Sequence, residues 1–119
     1  MSLRNDVNQL LPLHTQKLAL ENRKKQAENQ YNTFLQQSCG NGRIGVDILE
    51  IVDQLNDAIN TATDEYNKLM QKYNPISARI VGFMQKAKLQ TINDIVYSGA
   101  YRQLQLDSAT NELTVITTG

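Results

Sequence analysis

Between Asp47 and Tyr73 the apolar side chains fall at Ile48, Val52, Leu55, Ile59, Ala62, Tyr66, Leu69 and Tyr73, in alternating steps of four and three. That spacing keeps one stripe on one face of a helix, and it predicts a coiled-coil-like element roughly 40 Å long. Asp47, Glu50, Asp53 and Asp57 crowd its N-terminal half, with Lys68 and Lys72 near the other end. Both groups oppose the charge of the helix macrodipole. The stepping carries on through Ile76, Ile80, Phe83 and Ala87, across Asn74-Pro75. Asparagine favours the N-cap and proline the first helical turn, so one helix is expected to end near 73 and the next to begin at 75. The second piece either folds back antiparallel, which the lengths favour, or continues the seam past a kink.

The N-terminal third is weaker. Leu3, Val7 and Leu10 share a face over 2–11, and Pro12 predicts a restart or kink. From 13 to 38 the apolar positions thin out, with Ala27 alone between Glu21 and Gln30. This segment favours helix but has little to bury. The run Gly40-Asn41-Gly42-Arg43-Ile44-Gly45 ends it and turns the chain.

After Leu89 the pattern admits two readings. Thr91, Ile92, Ile95, Val96 and Tyr97 have strand-like side chains, yet Ile92, Ile95, Val96 and Gly99 also fit a helix closed by a glycine cap. The helical reading is taken, to about 97. Tyr101–Leu106 and Glu112–Thr117 then read as strands of a hairpin around residues 107–111. A lone hairpin is marginal in water, so it must lean on the helices or add to another chain's sheet. The expected fold is mainly α: a long helical hairpin or three-helix bundle with a coiled-coil-like central helix and a small C-terminal β-hairpin. The expected helices are about 2–11, 13–38, 47–73 and 75–97, within a helical region 1–98 followed by a hairpin region 99–119.

Composition narrows function without naming one. With 12 basic and 12 acidic residues in 119, net charge is zero, and bulk electrostatics favour neither nucleic acid nor an acidic membrane. Tryptophan is absent, which leaves a ligand pocket short of aromatic walls. Cys39 is the single cysteine, so no intrachain disulfide can form, and a reducing compartment suits it. No apolar run approaches a signal-peptide core or membrane span, and the expected location is the cytoplasm or an assembled particle.

Each motif with possible chemistry has a simpler reading. Gly40, Gly42 and Gly45 match G-x-G-x-x-G, but helical sequence precedes them, and Asp47 and Glu50 would repel a phosphate. An interhelical turn explains them. Arg23, Lys24 and Lys25 fan around a helix beside Glu21 and Glu28, as on a solvated face. Asp53, Asp57 and Asp64 lack a His or Cys to complete a metal site. His14, the only histidine, has no nameable orienting group for nucleophilic catalysis with Cys39. The sequence therefore predicts no catalytic, cofactor-binding or metal-ligating residue.

What it does predict is packing. The central seam is strong and the first helix offers a thin stripe, and soluble monomers seldom leave such seams uncovered. Ile48, Val52, Leu55, Ile59, Tyr66, Leu69, Tyr73, Ile76, Ile80 and Phe83 are accordingly the expected interface residues, with Tyr66 and Tyr73 as anchors. The expected role is a non-enzymatic structural subunit of a larger assembly, such as a viral or phage particle, as a homo-oligomer or within a hetero-complex. Two alternatives stand beside it. One is a regulatory adaptor or inhibitor that binds a partner protein through its acidic central helix. The other is a helical nucleic-acid-associated subunit using Arg23, Lys24, Lys25, Arg79, Lys86 and Lys88.

Overall fold

Ser2 opens the first helix: its Oγ accepts from the Asn5 N–H at 3.3 Å and its carbonyl from the Asp6 N–H at 3.0 Å. The computed structural model describes residues 2–118. Helix α1 is Leu3–Ser38, helix α2 is Val46–Lys86, and strands β1 (Thr91–Tyr97), β2 (Ala100–Asp107) and β3 (Glu112–Thr117) follow. The chain is thus a helical hairpin with a small C-terminal antiparallel sheet. It divides into two compact units, Met1–Thr15 with Met70–Gly119, and Gln16–Leu69.

The helix ends expected near Pro12 and Pro75 are absent, and both prolines lie inside continuous helices. A proline removes the N–H that would bond to the carbonyl four residues back. Those carbonyls belong to Asn8 and Gln71, both exposed, so water can serve them. Among the described residues no separate helix folds back after Pro75. The seam continues in one piece, and the Gly40–Gly45 stretch is the turn between helices, with Gly42 at φ 71°.

The helix expected over 75–97 is helical only to Lys86, where α2 stops, and 91–97 is a strand. The stop is a Schellman motif: the Leu89 N–H reaches the Met84 carbonyl at 2.8 Å and the Lys88 N–H the Gln85 carbonyl at 3.2 Å. The residue that must turn left-handed is Lys88, at φ 57°, where helices usually carry glycine. Lys88→Gly should therefore stabilise the protein by about 0.5–1 kcal/mol, after allowance for the lost cation at the helix end. A higher urea midpoint at unchanged slope would show it, and a lower midpoint would contradict the cap assignment.

The sheet is a meander in the order β1-β2-β3, antiparallel throughout. Tyr97 pairs with Ala100 across Ser98 and Gly99, at φ 52° and 76°, which is the type I′ turn that suits strand twist. Gly99 is thus a hairpin residue and not a helix cap. Between Ile92 and Ile95 the register shifts around Asp94, at φ 61°. This bulge lets two residues three apart both face inward. Strand β2 pairs regularly with β3 from Arg102↔Thr117 to Asp107↔Glu112.

One sheet face, carrying Ile92, Ile95, Leu104 and Leu113, packs with Val7, Leu10 and Leu11 of α1 and Tyr73, Ile76, Ile80 and Met84 of α2. This core lies within the unit formed by the chain's two ends. The opposite face is polar around Gln103, which donates to Asn93 at 2.6 Å and accepts from Gln105 at 2.9 Å.

Candidate functional site

The unit Gln16–Leu69 holds the acidic half of the seam, and its core is thin. Only Ala62 and Leu69 are buried among its apolar residues. Ile48, Val52, Leu55, Ile59 and Tyr66 are half-buried. Facing them, α1 offers Leu20, Ala27, Tyr31, Phe34 and Leu35 as half-buried apolar residues among exposed polar ones. Polar contacts supplement this packing. Arg23 Nη1 lies 2.6 Å from Glu65 Oε2, and the Tyr66 hydroxyl donates to Glu21 Oε1 at 3.3 Å. Lys24 Nζ sits 5.7 Å from the centre of the Tyr66 ring.

The apolar surface of α2 is also wider than its heptad stripe. Leu49 is 45 % exposed, Ile51 42 % and Val46 79 %. On a helical wheel Leu49 and Ile51 flank the Ile48–Val52–Leu55–Ile59 line on opposite sides, opening the apolar arc to about 160°. Sequence reasoning followed the stripe and missed these flanks, although the cluster Ile48-Leu49-Glu50-Ile51-Val52 carries the signal.

The remaining expected interface residues meet different surroundings. Tyr73, Ile76 and Ile80 belong to the core that packs the helix ends against the sheet. Phe83, 39 % exposed, instead borders a groove of about 610 Å³ shared with Leu3, Val7, Leu89, Ile92 and Val96. Arg4 and Asp94 also line this groove.

Two polar pairs lie in the same unit, one part-buried and one buried. Arg79 forks onto Asp6, Nε to Oδ2 at 3.1 Å and Nη2 to Oδ1 at 3.0 Å, and Asp6 is almost completely covered. The hydrogen bonds from Arg79 hold the Asp6 carboxyl below its ordinary range against an opposing effect of burial, and the same contact raises Arg79. His14 is buried with Nδ1 3.3 Å from the Tyr73 hydroxyl, the rings tilted at 35°. The pair gives the Tyr73 hydroxyl a partner inside the core, as a buried tyrosine requires. Neither pair had a sequence signal, since the partners lie 73 and 59 residues apart.

The other motifs are placed as follows. Gly40–Gly45 forms an exposed loop, and Cys39 beside it is a half-buried free thiol. Arg23, Lys24 and Arg79, three of the basic residues singled out for nucleic acid, make the intramolecular contacts described above. Among the described residues no three His, Cys, Asp or Glu side chains converge as metal ligands, and no helix is long and apolar enough to cross a membrane. Geometry and chemistry together define a helical hairpin that exposes apolar side chains at Val46, Leu49 and Ile51 of α2. No family model matches the chain, and neither the curated proteins nor the solved structures contain a significant match.

Proposed function

We propose that the protein is a non-enzymatic structural subunit that associates with further copies of itself inside a larger assembly, a virus-like particle or comparable multi-subunit machine. The observation that carries this reading is the width of the apolar arc on the N-terminal half of α2. An arc of about 160° exceeds what one neighbouring helix covers. Within its unit α1 is that single neighbour, and Leu49 and Ile51 remain open. A second helix pair seated on the flanks would bury them, and burial of apolar area is what drives such association.

Replacing Leu49 and Ile51 together by Asp tests this. Light scattering of the wild type should show mass rising with concentration past a dimer, whereas the double variant should grow no further than a dimer, with helical circular dichroism unchanged. A wild type that remains monomeric into the high micromolar range, or a double variant that associates as the wild type does, overturns the reading.

A further inference from the structure

The two edges of the sheet are not equivalent, and the difference selects one of them for pairing. Strand β1 carries the bulge at Asn93–Asp94, with a charged residue at its centre. A bulge and a charge are the usual devices that stop an edge from recruiting another strand. Strand β3 has no bulge and no charge beyond its first residue. Its pairing with β2 is regular at every position, and its only charged residue is Glu112, the first.

The direction of the β3 backbone groups follows from the ladder. The Thr118 N–H bonds to the Tyr101 carbonyl at 2.9 Å, so Thr118 turns its polar groups towards β2. Antiparallel alternation then points the N–H and C=O of Thr117, Val115 and Leu113 away from β2. Among the described residues no backbone bond engages these outward groups. They are donors and acceptors in a row, on a strand free of proline and lysine.

We infer that β3 pairs antiparallel with β3 of a second copy about a two-fold axis at Val115, joining two sheets into one of six strands. The inference rests on the self-associating subunit proposed above and names a second contact for it. This register alone pairs every outward group: Val115 faces Val115 of the second copy, and Leu113 faces Thr117 in both directions. Side chains on each face stay on that face, because directly opposed residues have matching parity. Charge agrees with it. Each Glu112 falls opposite Thr118 of the other copy, and the two carboxylates end roughly 20 Å apart. A parallel pairing in register would set them side by side. An extended segment of another protein would occupy the same edge but would have no reason to follow this two-fold register.

The register makes a test at Thr118, which is exposed and donates to the Tyr101 carbonyl from its N–H at 2.9 Å and from its hydroxyl at 3.4 Å, the second a contact that both charged variants lose alike. Thr118→Glu would create two like-charge cross-strand pairs with Glu112, and Thr118→Lys two attractive ones. The full-length chain carrying Leu49→Asp and Ile51→Asp serves as background, so that helical association does not mask the effect. In sedimentation at low salt, Thr118→Glu should weaken dimerisation about fivefold and Thr118→Lys strengthen it by a similar factor, with the difference vanishing at high salt. Val115→Pro, which removes an outward N–H, should abolish the dimer while a cooperative melt is retained at a lower temperature, because Val115 also packs against the core. If the wild type associates but the Thr118 variants match one another, the β3 pairing is wrong and the helical assembly stands. A background variant that is monomeric at every concentration also overturns the pairing. A wild type that never associates overturns both.

Discussion

Leu104→Ala should destabilise the protein by about 2–5 kcal/mol, the range for emptying a fully enclosed leucine site. Leu104 has no exposed surface and stands at the centre of β2, opposite Ile92 on one side and Val115 on the other. It belongs to the same cluster as Leu10, Ile80 and Met84, so the cavity would open where the sheet meets both helices. Those neighbours are held by helical hydrogen bonds and cannot all move in to fill the space, which places the loss in the upper part of the range. Total stability for a domain of this size is about 5–15 kcal/mol, so one truncation would consume a large share. The control is Tyr101→Ala, three residues earlier on the outer face and 55 % exposed. Urea unfolding that gives equal losses for the two variants would refute the assignment of this face as the core.

Acid should unfold the wild type more steeply than Asp6→Asn. The folded-state carboxyl of Asp6 lies below its ordinary value because Arg79 donates two hydrogen bonds to it. A depressed carboxylate contributes stability that is complete above the unfolded-state value, about pH 4. The contribution fades as pH falls from there through the lower folded-state value, where the native protein must finally take up the proton. Asp6→Asn lacks that contribution at neutral pH and should melt lower there. Between about pH 4 and 2 its melting temperature should fall less than that of the wild type, so the two curves converge. Arg79 is shifted upward from an already high value and adds no dependence in this range. Parallel curves from pH 7 to 2 would show that the ion pair makes no net difference between folded and unfolded states.

Much of the fold was legible because the chain repeats one message along α2. The heptad stripe, the glycine-rich turn and the two final strands each rest on several residues that agree. The errors share a different cause. At 91–97 a single inserted residue, Asp94, gives a strand the three-residue spacing of a helix, and Ile92 with Ile95 imitates a helical stripe. At 86–89 the helix is stopped by a lysine in a glycine conformation, so the usual stop signal is missing. At Pro12 and Pro75 the breaker is present but the carbonyl it frees is exposed to water, which makes the break unnecessary. The candidate surfaces were half legible. Periodicity located the seam but not its flanks, and it assigned Tyr73, Ile76 and Ile80 to the same stripe that the structure divides between core and half-covered surface. The ion pair of Asp6 with Arg79 lay beyond any local pattern, since it exists only after the chain ends have met.

That meeting has a consequence for how the chain is made. Val7, Leu10 and Leu11 belong to a core completed by Leu104 and Leu113, so the apolar face at the start of α1 leaves the ribosome well before its cover exists. At typical rates of about 5–20 residues per second, it waits several seconds without that cover. The local hairpin of Gln16–Leu69 can form meanwhile, because its two helices are joined by a short turn. Once it has formed, the effective loop between the two halves of the other unit is far shorter than the sequence separation, and the entropy of closing it falls. A hairpin formed first would thus shorten the search by which the two segments of the better-packed unit meet.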